Sequence, residues 1–571
     1  MASLASRRVT PWAVPTAGLA AAWIASCVGL LYISMDLYDE PTLALGGRIV
    51  RAGGLPYLDF YTHYGPLGYS LIAVFLGVGN PGIACRLAQA IALLVVAVPL
   101  VPLARRLASS RAASAALAAL LLLNFSAALA FPHFLAYTFA LLAIELIALA
   151  ELDPESPSGN PLWLAAGAAA GLAGLVRPAF GVYTTLAVVG YAVATRATAR
   201  GPRLARFLGG GAGVAAAVWA VLYREIPLAE AWFAMFVIPA KLTAGKARFL
   251  PPSLLPVPLT GAARTLFDAL HLAGFFLLAT ATGWRAPDRR ARVAALVGAA
   301  MAAGTPSVLR AAAEPGRAAR FAALLLFAVA LAAFAFAARH LAGSATARIS
   351  ALSGLAAVAF LHYSLTRGDQ SHFTAALAFA GVAGVASLER RTLAWRAAVA
   401  VLLAFVWLPL LLASPPFPAY WIGFRPPIPQ ISTARGFWAR FPASAFPEPA
   451  VRAVAEADRL AAPGSRFVAL ATDHGRTDSS AIALFLISRR LPYTRWYQYD
   501  PGVQSAPFVQ AQMIGELERS GSETAVTWRS EVFRGLPPVD PPRTALDRRF
   551  RELYPRATVG YGDLEVRERA R

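Results

Sequence analysis

Charge is scarce in this chain. Only 15% of its 571 residues are Asp, Glu, Lys or Arg, and acids are fewer than bases, 31 against 52. With 57% hydrophobic residues, this composition excludes an ordinary soluble protein of this length. Cysteine is scarcer still. Cys27 and Cys85 stand alone at apolar runs, which excludes a disulfide framework and a cysteine metal spacing. The chain also lacks an internal repeat, and its last 150 or so residues lack a phosphate-cradling Gly-rich loop and a nucleophile elbow.

Long apolar runs are what the chain has in abundance. Runs of about 18–20 residues recur, the length that crosses a bilayer. The fold class is therefore a polytopic α-helical membrane protein of about 13 spans. The spans are expected at 11–35, 87–104, 112–130, 134–150, 161–176, 179–195, 207–222, 266–283, 293–304, 321–337, 350–365, 372–387 and 397–413. No small-residue cleavage site follows the first run, so it is read as a retained helix. With the N-terminus in the cytoplasm, the cytoplasmic loops hold 18 Lys and Arg in 68 residues, against 13 in 121 on the other side. That bias predicts N-in and C-out. It also accounts for the net charge of +21 as a topology signal, so no nucleic acid is implied.

Two large segments then share the outer side. One is the structured loop 36–86 within the membrane domain 1–413; the other is the tail 414–571, expected as a soluble α/β domain. Within the loop, "GPLGYSLIAVFLGVG" (65–79) is short and Gly-rich. Letting it cross would invert every later loop, so it is expected to lie at the interface or to dip in and return. The segment 223–265 reads as an interfacial helix followed by a Pro-rich turn. In the tail, "EPAVRAVAEADRLA", "SAIALFLISRRL", "FVQAQMIGELERSG" and "TALDRRFREL" read as helices. "RFVALATD", "YTRWYQY", "TAVTW" and a pair near "ATVGYGDLEVRER" read as strands. His474, near Asp473 and Asp478, is expected to be a solvated loop histidine.

The chemistry concentrates in "MDLYDEPTLALGGRIVRAGGLPYLDFYTHYGPLGY", directly after the first span. This stretch resembles the first outer loop of the GT-C class of polytopic glycosyltransferases, whose members include protein O-mannosyltransferases and lipid A aminoarabinose transferases. In that class an Asp-Glu pair follows the first span, then a juxtamembrane helix, a Gly and an aromatic-Pro segment. Here these are Asp39-Glu40, "PTLALGGRIVRA" and Gly53-Gly54-Leu55-Pro56-Tyr57. "GLVRPAFGVY" and "TRGDQSHF" also resemble recurring pieces of bacterial members. Relatives carry a second acid on the next outer loop; here "FPHFLAY" offers His133 and no acid.

The resemblance implies an inverting transferase that moves a sugar from a polyprenyl-phosphate-linked donor to a glycan, lipid or protein acceptor. A carboxylate beside the membrane suits that chemistry, because it can take the proton of an attacking hydroxyl. The departing phosphate needs cationic stabilisation. Asp39 is the expected base and Asp36 its competitor, while Asp39 also reads as a helix N-cap. Glu40 holds the acceptor or Asp39, or is a solvated first-turn acid. Asp59 and His63 line the same cavity or bind a divalent cation, the one cofactor left open, or else make local turn hydrogen bonds. Donor contacts are assigned to Arg177, Lys241, Lys246, Arg248, Arg367, Asp369 and His372, each with a structural alternative such as interfacial anchoring or a loop-fixing Arg-Asp pair. The competing functions are a transporter, a lipid-linked polysaccharide polymerase or ligase, and a non-catalytic assembly protein. Against the transporter, no inverted repeat is visible and charges gather at one face.

Overall fold

The structure is a computed structural model of the chain. It describes residues 13–31, 35, 40–107, 134–152, 159–194, 200–240 and 345–366. In the tail it describes 431–432, 445–474, 481–488, 490–499, 502–528 and 544–570, with single helical residues at 289, 290, 293, 297 and 379. In chain order the helices before the tail are α1 (Ala13–Leu31), α2 (Glu40–Arg51), α3 (Leu67–Phe75), α4 (Pro81–Leu107), α5 (Phe134–Leu152), α6 (Gly159–Val176) and α7 (Pro178–Ala194). They continue with α8 (Arg200–Leu222), α9 (Leu228–Trp232) and α10 (Ala345–Thr366). The tail runs β1 (Ile431–Ser432), β2 (Ala445–Phe446), α11 (Glu448–Arg459), β3 (Val468–Ala471), α12 (Ala483–Ser488) and α13 (Pro507–Glu518). It ends with β4 (Thr524–Trp528), α14 (Ala545–Leu553), β5 (Arg556–Tyr561) and β6 (Leu564–Glu568).

The chain forms two compact units: 1–29, 89–217 and 248–424 in the first, and 30–88, 218–247 and 425–571 in the second. In the first, small residues let helices touch. A Cβ on Gly167 would stand 1.9 Å from the Phe207 carbonyl oxygen, and one on Gly171 2.5 Å from that of Gly211. The Gly-x-x-x-Gly spacing of α6 thus brings its backbone against α8, as small-residue stripes do between membrane helices. Phe360 of α10 packs edge-on against Phe180 and Tyr183 of α7. At one end of this unit Glu151 receives Arg348 Nε at 2.6 Å and Arg203 at 3.4 Å. These three residues come from segments that the charge rule assigns to one membrane side.

Three described helices are long and apolar enough to cross a membrane: Pro81–Leu103, Phe134–Leu152 and Gly201–Leu222. Several starts differ from expectation, α10 at Ala345 and not 350 among them. α4 begins six residues before position 87, because Asn80 caps it by accepting the Ile83 N–H at 3.0 Å. α8 begins at Arg200 and not 207, so part of the expected loop 196–206 is helical. The expected spans 112–130, 266–283, 293–304, 321–337, 372–387 and 397–413 lie wholly or mainly outside the described residues. Residues 65–79 form α3, a short 3-10 turn at Leu76–Val78 and a left-handed Gly79 (φ 85°). A helical stretch of this length spans about 18 Å, short of the roughly 30 Å hydrocarbon core.

In the second unit the tail carries a four-stranded sheet in the order β3-β4-β6-β5. β3 and β4 are parallel, and the other pairs are antiparallel. α11 buries Ala450, Ala453, Val454 and Ala457, the 3.6-residue stripe that predicts it. Two expectations fail here. "YTRWYQY" is not a strand: Tyr493, Trp496, Tyr497 and Tyr499 are all buried, so one-sided alternation is absent. The carbonyls of Trp496 and Gln498 in this strap, 493–499, are taken by the Gln504 side-chain amide. His474 is not solvated. It is buried, pairs through Nδ1 with Asp547 and meets the Tyr499 hydroxyl at Nε2, 2.8 Å away. Burial raises the Asp547 carboxyl, but the charge and hydrogen bonds of His474 and the Thr544 hydroxyl outweigh it and hold the group below its ordinary range.

Candidate functional site

The site is built in the second unit around α2. Glu40 opens this helix, where the dipole favours an acid, and Arg48 and Arg51 close it. The helix ends on a Schellman turn. The Gly54 N–H donates to the Ile49 carbonyl at 2.9 Å and Gly53 N–H to that of Val50 at 2.9 Å, with Gly53 left-handed at φ 92°. α3 lies on α2 through Gly46, where an added Cβ would stand 2.3 Å from the Tyr69 ring.

Glu40 is not a solvated acid. It is buried, and both its oxygens are held by Arg86 from the start of α4. Nη2 donates to Oε2 at 3.0 Å, and Nη1 reaches Oε1. A two-pronged guanidinium–carboxylate pair is the strong form of this contact. Once buried it is intolerant of losing either partner. It fixes the first turn of α2.

Past α2 the chain turns sharply. The Leu55 N–H donates to Asp59 Oδ2 at 2.6 Å, and the Asp59 N–H to the Leu55 carbonyl at 2.9 Å. Asp59 therefore makes the local turn bonds that were one of its two expected roles. Tyr57 is left-handed at φ 70°, a costly conformation for a bulky residue, and among the described non-glycine residues no other has positive φ. It is held by its N–H to the Phe60 carbonyl at 2.8 Å and its hydroxyl to the Tyr64 carbonyl at 2.8 Å. Thr62 and Tyr69 share a 2.6 Å hydroxyl bond, and Ser70 bonds the Tyr223 hydroxyl at 2.6 Å. Burial raises the phenols of Tyr57, Tyr69 and Tyr497, so these act as neutral hydroxyls and not as bases.

The strap 493–499 lies along this loop. The Tyr61 N–H donates to the Arg495 carbonyl at 2.9 Å, and Tyr61 packs on Trp496 with centroids 4.8 Å apart. Phe60 stacks on Tyr497, and His63 is half-buried beside Tyr64 with Gln498 Nε2 3.4 Å from its Nδ1. Glu40, Asp59 and His63 are thus gathered in one unit. Arg177 belongs to the other, between α6 and α7, with its guanidinium 5.9 Å from the Phe180 ring centre. Asp36, Asp39, His133, Lys241, Lys246, Arg248, Arg367, Asp369 and His372 lie outside the described residues. Among the described residues no three of His, Cys, Asp and Glu converge as a metal site would require.

Sequence reasoning missed Arg86, Arg48 and Tyr57. Arg86 left a usable signal, since an arginine at the head of an apolar helix needs a partner. Arg48 and the φ of Tyr57 left none, because the first depends on the distant carbonyls of Phe485, Leu486 and Arg490 and the second on the loop's closure.

No protein-family model matches the chain, and no curated protein matches it. Solved structures do. ArnT from Cupriavidus metallidurans in the apo state is 13% identical, with 96% of this chain and 98% of that one covered at a TM-score of 0.49. The archaeal oligosaccharyltransferase AglB from Archaeoglobus fulgidus, in complex with an inhibitory peptide and a dolichol-phosphate, is 12% identical, with 90% and 69% covered at a TM-score of 0.44.

Proposed function

We propose that the chain is an inverting membrane glycosyltransferase. It moves a sugar from a polyprenyl-phosphate-linked donor to an acceptor at the outer face of the cytoplasmic membrane. The observation that carries this reading is the buried Glu40–Arg86 pair. Glu40 serves as an anchor, and Asp39 occupies the position directly before an immobilised helix start.

In the reaction the acceptor oxygen attacks the anomeric carbon from the face opposite the phosphate. Its proton passes to Asp39 as the new C–O bond forms. The bond to the phosphate breaks, and polyprenyl phosphate leaves with the electron pair. Cationic side chains stabilise that leaving group; Arg177, Lys241, Lys246 and Arg367 are assigned this role, with Asp369 and His372 beside them. Of the aromatic loop 57–64, the half-buried His63 and Tyr64 are the rings left to meet a sugar, since Tyr57, Phe60 and Tyr61 are buried. The tail belongs on the outer side with this loop, and the N-terminus in the cytoplasm.

The test uses the full chain in proteoliposomes. A panel of labelled polyprenyl-phosphate hexoses and pentoses is offered with cell-envelope extract as the source of acceptor. Release of polyprenyl phosphate is followed. Asp39→Asn should bind donor yet turn over about 10²–10⁴-fold more slowly, and Asp36→Asn should lose much less. Normal turnover in Asp39→Asn with loss in Asp36→Asn moves the base to Asp36, and normal turnover in both ends the proposal.

A further inference from the structure

We infer that Arg48 is a positioning residue for the proposed reaction, through which the tail holds the catalytic loop in its working pose. The inference rests on the function proposed above. Arg48 lies in the last turn of α2, facing the tail segment 485–490. Its Nη2 donates to the carbonyls of Phe485 at 2.9 Å and Arg490 at 3.1 Å, and its Nη1 to that of Leu486 at 3.4 Å. Phe485 and Leu486 sit at the C-terminal end of α12, where helix carbonyls lack partners inside the helix and the dipole is negative. A single guanidinium therefore caps a helix more than 400 residues away in sequence.

α2 is consequently held at both ends by arginine. Arg86 grips Glu40 at its start, and Arg48 fastens its last turn to the tail. The strap 493–499 extends the same grip past the helix, through Tyr61 to Arg495, Phe60 to Tyr497 and Tyr61 to Trp496. The strained Tyr57 lies inside the clamped stretch. Nothing in these contacts touches a reacting atom. What they control is where α2 starts, and so where a base at position 39 stands relative to an acceptor oxygen. Displacement of a catalytic group by about 1 Å can cost about 100-fold in rate. A lysine cannot replace the clamp, because a point charge cannot serve three carbonyls as a planar fork does.

The experiment measures kcat and the donor KM for Arg48→Ala and Arg48→Lys in the proteoliposome assay, with Asp39→Asn alongside. Hydrogen–deuterium exchange is read over 40–64 and over α13. Both Arg48 variants should lose about 10–100-fold in kcat with donor KM changed less than about threefold. Exchange should rise in 40–64 and stay unchanged in α13. Arg48→Lys keeps the charge and the long stem, and it carries the test if Arg48→Ala does not accumulate. A wild-type kcat per folded molecule with only a lowered melting temperature would overturn the inference, as would a rise in KM at constant kcat. An active Asp39→Asn would instead remove the proposed function, whatever Arg48 does.

Discussion

Replacing Arg86 with Met should destabilise the second unit severely, and the cost follows from the burial of its partner. The side chains of Arg86 and Glu40 are 1% and 5% exposed, so water screens neither charge. Removing the guanidinium leaves a carboxylate shut in with no counter-charge. Such losses cost about 3–5 kcal/mol. For a folding unit of this size each kcal/mol moves the melting temperature by about 2–4 °C, so the fall should be about 6–20 °C. Glu40→Gln should cost a similar amount, since the guanidinium is then stranded. The double variant Glu40→Leu/Arg86→Met removes both charges together and should recover most of the loss, because apolar pairs replace buried ion pairs at little cost. It should also recover turnover to within about tenfold of wild type if Glu40 only anchors. Tryptophan fluorescence on heating is a suitable readout, since Trp496 and Trp528 are buried in this unit. A fall under about 4 °C for both single variants would mean a pair worth no more than an exposed one, and the anchoring argument would collapse.

Gly167→Val should separate α6 from α8, since even a methyl group there would overlap the Phe207 carbonyl; overpacking costs about 1–3 kcal/mol or more, and a detergent-stability scan indistinguishable from wild type would contradict it. Asp547 has a lowered folded pKa, so its contribution is present above the unfolded value near ~3.9 and is lost as pH falls through the folded one. Asp547→Asn should therefore lower the tail's melting temperature at neutral pH and flatten its acid limb, while unchanged melting at both pH values would show the His474 contact to be idle. Single cysteines introduced at position 64 and at the exposed position 78, in a background where Cys27 and Cys85 are replaced by Ala, should both react with an impermeant thiol reagent from outside. Labelling of position 78 only from the cytoplasm would make 65–79 a true crossing.

Class and periodicity were legible from the residues alone. Apolar runs of bilayer length, the Lys and Arg bias between loops and the stripes of α11 and α14 are local patterns, set by near neighbours. So are the short 65–79 segment and the turn at Gly53–Gly54, where the need for a left-handed residue is written into the glycine. β4 and the β5–β6 pair follow the same logic. What the local pattern misjudged was whatever burial decides. The strap 493–499 carries the aromatic content of a strand, yet it is enclosed on all sides and its carbonyls are spoken for by Gln504 and by the Tyr61 N–H. His474 sits among polar neighbours in sequence but is buried against Asp547, 73 residues on.

The same division runs through the candidate site. Asp39-Glu40 drew attention by spacing and by its place after the first span, which are properties of the chain. The roles of Glu40 and Arg48 were decided by the tertiary structure, because each depends on a partner that only folding brings near. Arg86 lies 46 residues from Glu40, and the carbonyl of Phe485 lies 437 residues from Arg48. An isolated acid in a polar stretch looks solvated until the fold removes the water. Only then does a buried charge have to find an opposite one, and that requirement, absent from any local window of sequence, makes Glu40 an anchor and Arg48 a clamp.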